Sequence, residues 1–394
     1  MFQSDTTDPR DGAFTEPRDA SQRIKANVNS LGLTPFIPAS SLRRASTLQS
    51  VWEIELTELI LEIDLWAGPS TPSGSMHYDI IGDVHGRHDK LTQLMARLGY
   101  QPAAVGFIPP AGRCALFLGD LIDPKPEHVL AGGVAATLHA VKAMCDAGHA
   151  LCLLGNHELN AIHFHSLGPD GEPLRKHIPK NQRMHQGTLD DFPDHADPSS
   201  EWRSLWLPWM KQLPFHLDLG GLRAVHATWH DDSIARVDGR SLEDEAFLIA
   251  TSDPETPEDV AMEILLKGLE VALPGDMQFT DASKDPRKNI RVRWWQLRPD
   301  SGIGYDELVF PRNPTIPDLQ VPREAFDKIP GYPAGAPPVF FGHYLKPADS
   351  PLVPESHNVA CLDHAAAMNG PLVAYRWQDE TTLSPENYIV SHEL

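Results

Sequence analysis

The sequence predicts an α/β domain running from about residue 76 to residue 384, and three observations predict it. Short apolar runs alternate with longer amphipathic ones, the strand-like runs end at Gly followed by polar residues, and no internal repeat competes with that pattern.

Taken in order, Tyr78 to Ile81 reads as a buried strand. Arg87 to Leu98 follows as a helix, because Leu91, Leu94, Met95 and Leu98 share one face at helical spacing. Ala115 to Leu118 reads as a second strand, Glu127 to Ala147 as a long helix and Ala150 to Leu154 as a third strand. From about 167 to 200 the chain is rich in His, Asp, Pro and Lys and lacks a period, which suits an insertion beside a site. Trp202, Leu205, Trp206, Trp209 and Leu213 then mark a helix, whose tryptophans are expected to pack as core or lid rather than to stack bases. Phe215 to Leu219 and Leu222 to His226 read as a hairpin turning at Gly220-Gly221. Residues 240–335 hold two helical stretches and Pro-rich connections, expected as a cap or decoration. Val339 to Phe341, Val359 to Leu362 and Leu372 to Trp377 are the last strands, before a tail at 385–394.

Residues 1–75 are expected to be a disordered or misassigned extension. Residues 1–46 are polar and without period; Trp52, Leu56, Leu59, Ile60 and Ile63 fit a helical face, while 52–56 also alternate like a strand. Gly68 to Ser75 is a linker by composition, ending at Met76, which offers another start of translation.

The formal charge of −21 argues against broad binding to nucleic acid or anionic membrane, since phosphate backbones are held by clustered Lys and Arg. No basic start followed by an apolar core reads as a signal peptide, and no apolar stretch approaches the roughly 20 residues that cross a bilayer. Cys114, Cys145, Cys152 and Cys361 are scattered in apolar segments, which suits reduced core residues in a cytoplasmic protein.

Chemistry gathers in the segments after strands: Gly82-Asp83-Val84-His85-Gly86, Gly119-Asp120-Leu121-Ile122-Asp123 and Gly155-Asn156-His157-Glu158. In open α/β sheets ligands collect at the carboxyl ends of strands. Asp, His and Asn without thiolate make an oxygen and nitrogen donor set suited to Mn first, with Fe or Zn as alternatives. Asp83 and His85 can point to one ion, with Asp120 bridging to a second whose shell Asn156, His226 and His343 complete. Two such ions would activate a bridging water and neutralise charge on a phosphoryl group. The leaving alkoxide needs a proton, which His157 is placed to supply as general acid while Asp123 holds its ring protonated.

The order GDVHG, GDLID, GNHE, an isolated His after a strand, and GHY resembles the calcineurin-like metallophosphoesterase superfamily. Within it the pattern is most similar to the serine/threonine phosphoprotein phosphatases and their bacterial diadenosine tetraphosphatase-like relatives. The resemblance implies a central β-sandwich flanked by helices with a dinuclear site at the sheet edge. It puts Asp83, His85 and Asp120 on one metal, Asp120, Asn156, His226 and His343 on the other, and makes His157 and Asp123 the acid pair. Two departures stand out: Pro124-Lys125 follow Asp123 where the phosphatase branch carries a phosphate-gripping Arg, and His226-Ala227-Thr228 replaces His-Gly-Gly.

A replacement grip is expected in Lys125 or in the basic run 284–293, whose alternation would point Arg291 and Arg293 to one side of a strand. Among the 19 histidines, His163, His165, His177, His185 and His195 are expected at the surface or in loops. The expected activity is hydrolysis of a phosphate ester or phosphoanhydride, in a small phosphorylated molecule or a dinucleoside polyphosphate, by a metal-bridging hydroxide. A phosphoserine or phosphothreonine protein is the second substrate class. A catalytically silent scaffold is the third reading, opposed by the presence of all six ligands and His157.

Overall fold

The structure is a computed structural model that describes residues 76–280, 286–297, 302–316 and 318–392. The extension 1–75, Lys284 and Asp285 of the basic run, and the final two residues lie outside the described residues.

Two sheets face each other. In the first, β1 (His77–Ile81), β2 (Arg113–Phe117) and β3 (Ala150–Cys152) run parallel. On the far side of β1, β10 (Val373–Trp377) pairs antiparallel, and β11 (Tyr388–Val390) pairs antiparallel with β10. Part of the expected tail is therefore a sheet strand. The second sheet has the order β9 (Val359–Cys361), β8 (Val339–Phe341), β5 (Arg223–Val225), β4 (His216–Asp218). Its β9, β8 and β5 are parallel, and β4 and β5 form the expected hairpin.

The period of two in a strand sends neighbours to opposite faces, and the packing follows it. Ile80, Leu116, Phe340, Ala360, Val373 and Tyr375 meet in a core between the sheets. Their neighbours Ile81, Phe117, Phe341, Cys361 and Ala374 pack outward, in the core that also holds the helices. That is the sandwich flanked by helices that the resemblance implied.

The helices that frame the strand ends differ in part from expectation. Helix α1 (His88–Leu98) buries Leu91, Leu94, Met95 and Leu98 as its period predicted. Helix α2 (Gly133–Asp146) starts six residues later than expected, after a short 3-10 turn at Pro126–His128. Gly132 there takes a left-handed φ of 72°, and a Cβ on Gly133 would collide with the Gly86 carbonyl. The segment Gly155-Asn156-His157-Glu158 is not a plain loop: α3 (Asn156–His165) begins at Asn156. Within the expected insertion lies α4 (Pro179–Asp191), whose buried residues are His185, Gly187 and Thr188. A helix that buries polar side chains has no apolar period to read. Trp202 and Trp206 are fully buried core residues, as expected.

Residues of the expected decoration form their own cluster. Helix α5 (Pro257–Lys267) leads into β6 (Glu270–Ala272), which pairs with β7 (Asn289–Arg291), and Val271, Ile290, Tyr305, Leu308 and Phe326 pack together there.

Candidate metal centre

Five strands from the two sheets end near one point. Asp83 and His85 follow β1, Asp120 follows β2, Asn156 follows β3, His226 follows β5 and His343 follows β8. His226 Nε2 lies 3.1 Å from Asn156 Oδ1 and 3.4 Å from Asp120 Oδ2, and His85 Nε2 lies 3.7 Å from Asp120 Oδ2. Two donor groups result, His85 with Asp120 and His157, and Asp120 with His226 and His343, the donor atoms of each lying within 4.8 Å of one another. Asp120 belongs to both. The backbone N–H of His343 donates to Asp83 Oδ2 at 2.9 Å, which ties Asp83 to the opposite sheet.

The backbone is bent to achieve this. His85, Asp120, Asp123 and His343 take left-handed φ values of 49°, 51°, 60° and 61°. Non-glycine residues in that region cost energy and persist where the surroundings impose them, often at functional sites. Glycines clear the space between: a Cβ on Gly342 would overlap the Asp83 carboxylate, and one on Gly155 the Asp120 loop.

Ring tautomers are set from outside the cluster. His226 Nδ1 donates to the Leu118 carbonyl at 2.7 Å and His85 Nδ1 to the Ile122 carbonyl at 2.9 Å. Because a carbonyl only accepts, each ring presents Nε2 to the cluster, the arrangement of metal-binding histidines. Among the described residues Asp83 Oδ1 and His343 Nε2 are buried without a protein partner, and buried polar atoms of this kind require one. Oxygen and nitrogen donors, two orphaned atoms and shared Asp120 fit two divalent ions.

Electrostatics point the same way. Burial, with Asp363 beside it, pushes the Asp83 carboxyl well above its ordinary range. Burial works against a charged His226 ring, but Asp120 outweighs it and raises His226 to about 10; the same ring holds Asp120 well down. A proton thus sits where carboxylate and imidazole crowd, and a bound cation would displace it. His85 and His343 are held low by burial, hence neutral and able to coordinate.

His157, of the first donor group, also has a partner outside it. Its Nδ1 donates to Asp123 Oδ2 at 2.8 Å and its backbone N–H to Asp120 Oδ1 at 2.9 Å. Burial lowers its affinity for a proton, but Asp120 and Asp123 raise it above the ordinary imidazole range. Asp123 stays a carboxylate: burial is outweighed by His185 and His157.

The three cations expected to grip phosphate have different neighbours. The Lys125 charge acts on His85 and Asp363. Arg291 donates from Nε to the Lys267 carbonyl at 3.1 Å, and its charge acts on His343 and Tyr344. Arg293 does not share a strand face with Arg291, because β7 ends at Arg291; Arg312, Glu355 and Glu307 are the charges it meets.

Several site residues escaped the sequence. Asp363 follows β9 and is buried among the other acids; nothing but an Asp after a strand announced it. Glu158, quoted within its motif but given no task, accepts from the backbone N–H groups of Asp120, Gly155 and Leu121 at 2.9, 2.9 and 2.8 Å, joining two of the motifs. Arg175, from the insertion, donates to Asn160 Oδ1 at 2.8 Å and feels the Asp123 charge. His163, His165 and His185 are buried rather than at the surface, contrary to expectation.

Comparison with known proteins adds a likeness to a family. Residues 76–264 match the model of the calcineurin-like phosphoesterases. The chain is 34% identical over 93 residues to a bis(5'-nucleosyl)-tetraphosphatase PrpE [asymmetrical] of Halalkalibacterium halodurans, covering 24% of this chain and 35% of that one. It is 31% identical over 169 residues to a protein of the same name from Geobacillus thermodenitrificans, covering 41% of this chain and 62% of that one. The match thus spans between 35% and 62% of these relatives' lengths. A protein serine/threonine phosphatase from Saccharomyces cerevisiae aligns over 94% of this chain and 95% of its own, at 12% identity and a TM-score of 0.40.

Proposed function

We propose, for a chain whose residues 76–264 match the model of the calcineurin-like phosphoesterases, that it hydrolyses a phosphate ester or phosphoanhydride, with a dinucleoside polyphosphate as the first substrate class. The observation that carries the reading is Asp120, shared by two donor groups, with His157 of the first also paired to Asp123. Relatives named as bis(5'-nucleosyl)-tetraphosphatases favour the nucleotide substrate over a phosphoprotein, as does Pro124-Lys125 in place of an Arg.

Asp83, His85 and Asp120 would hold one divalent ion and Asp120, Asn156, His226 and His343 the other, with manganese the first candidate. When bound, such ions supply an activated water and neutralise phosphoryl charge. The chain's own residues orient and protonate. Asp123 holds His157 Nδ1, so that Nε2 carries the proton given to the departing oxygen. Arg291, Lys125 and Arg175 are the cations available for the remaining phosphate oxygens. Among the described residues no helix is long and apolar enough to cross a membrane, and the free cysteines keep the cytoplasmic reading.

The test is a panel: manganese-loaded protein on diadenosine tetraphosphate, p-nitrophenyl phosphate, its bis-ester and a phosphopeptide. Diadenosine tetraphosphate should show the highest kcat/KM. A phosphopeptide leading the panel would replace the substrate class, and no hydrolysis of any member would return the scaffold reading.

A further inference from the structure

Asp123 is held from two sides. Oδ2 accepts from His157 Nδ1 at 2.8 Å, whereas Oδ1 accepts from His185 Nδ1 at 2.7 Å and from Thr188 Oγ1 at 2.6 Å. Thr188 Oγ1 in turn accepts the backbone N–H of Asp123 at 3.0 Å. His185 and Thr188 lie three residues apart on α4, so both face inward from one turn of the insertion helix. Residue exposures of 4% and 0% make these polar groups costly unless paired, and Asp123 is what pairs them.

His185 is itself fixed. Its Nε2 lies 3.2 Å from His165 Nε2, a separation that takes one N–H between the rings, and the rings of Phe164 and Trp202 pack at centroid distances of 5.2 and 5.8 Å. A carboxylate on a short side chain can turn about its last bond. Two donors on one oxygen stop that rotation and aim the other oxygen at His157, whose ring stands edge-on to His85 at 4.9 Å.

We propose that His185 is a positioning residue for the general acid: through Asp123 it holds His157 with an N–H on Nδ1 and Nε2 turned to the departing oxygen. The proposal rests on the reading of His157 as the acid. In the step it serves, a hydroxide oxygen bonds to phosphorus as the bond from phosphorus to the leaving oxygen breaks, and the electron pair of the broken bond stays on the leaving oxygen. The oxygen takes the Nε2 proton, and His157 is left neutral with its remaining N–H on Asp123. Water later returns a proton to Nε2.

Leaving groups separate this role from a structural one, because p-nitrophenolate departs with little help and an alkoxide does not. Wild type, His157→Ala, His185→Ala, His185→Asn and His185→Gln are compared on p-nitrophenyl phosphate and on an alkyl phosphate. His185→Ala should lower kcat on both, with the aryl-to-alkyl rate ratio rising about tenfold, the scale of losing a supporting hydrogen bond. Asn places its NH2 near the position of Nδ1 and should restore the ratio, whereas Gln places it near Nε2 and should not. Without turnover, the Nδ1–H proton resonance of His157 in zinc-loaded, 15N-histidine-labelled protein should broaden or vanish in His185→Ala and return in His185→Asn, with bound metal unchanged. Should His185→Ala not fold, Thr188→Val should raise the ratio in the same direction. An unchanged ratio in His185→Ala while His157→Ala raises it overturns the proposal alone. An unchanged ratio in His157→Ala overturns the acid reading as well.

Discussion

His226 Nδ1 donates to the Leu118 carbonyl at 2.7 Å, so the strand that leads to Asp120 also decides which nitrogen of His226 faces it. Coordination geometry is thereby coupled to the sheet: the donor set is held by backbone rather than by flexible contacts. Loss of the shared carboxylate should be felt at both ions, and loss of a ligand that serves one group at that ion alone. Metal analysis after gel filtration should find two ions per chain in the wild type, about one in His343→Ala and none in Asp120→Ala. Turnover in both variants should fall by on the order of a hundredfold or more. Retention of both ions in Asp120→Ala would contradict the shared role.

Glu158 carries a different burden. It is fully buried and accepts three backbone N–H groups from the loops that carry Asp120 and Asn156. Each donor left without a partner costs about 1–3 kcal/mol, so Glu158→Ala should destabilise by at least about 3 kcal/mol. Urea unfolding of the metal-free variant measures this directly, and a change under about 1 kcal/mol would show that water or another acceptor replaces the carboxylate.

These cases show which parts of the site the sequence carries. Asp83, Asp120 and Asn156 were legible because their requirement is local: a glycine beside a polar donor at the end of an apolar run. His226 and His343 were legible only from their strand ends together with the motif order of the family that the sequence resembles. Asp363 lies at an equivalent strand end, but no glycine precedes it: Leu362 stands before it and His364 after. His185 and Thr188 were hidden by a helix whose inward face is polar, which erases the apolar period that marks a helix. The placement of β10 beside β1 rests on long-range pairing that no local pattern encodes. The alternation of Arg291 and Arg293 misled because β7 ends between them.

That last difference makes a kinetic prediction. The Arg291 charge acts on His343, whereas Arg293 meets Glu307, Glu355 and Arg312. A charge-assisted hydrogen bond to phosphate contributes about 1.5–3 kcal/mol, so Arg291→Ala should raise KM for a phosphoester about tenfold or more. Arg293→Ala should change it less than about twofold. Arg175→Ala and Lys125→Ala should fall between. Steady-state kinetics of the four variants on one substrate decides the order, and an Arg293 effect larger than that of Arg291 would reverse the assignment.

His163 supplies a stability prediction with a defined sign. Burial, with Lys267 and Arg175 nearby, holds its pKa down to about 3, and its Nε2 lies 3.0 Å from Thr251 Oγ1. In the unfolded chain the ring titrates near its ordinary value, about 6.5. Below that value the unfolded state binds a proton that the folded state refuses. Stability present above about pH 6.5 is therefore lost as pH falls toward the folded value, at up to about 1.4 kcal/mol per pH unit. Metal-free wild type and His163→Gln, unfolded in urea at about pH 7 and about pH 5, isolate this group from the metal ligands. The wild type should lose about 2 kcal/mol more than the variant across that interval. Equal losses would mean that the folded protein opens locally to protonate His163 at little cost.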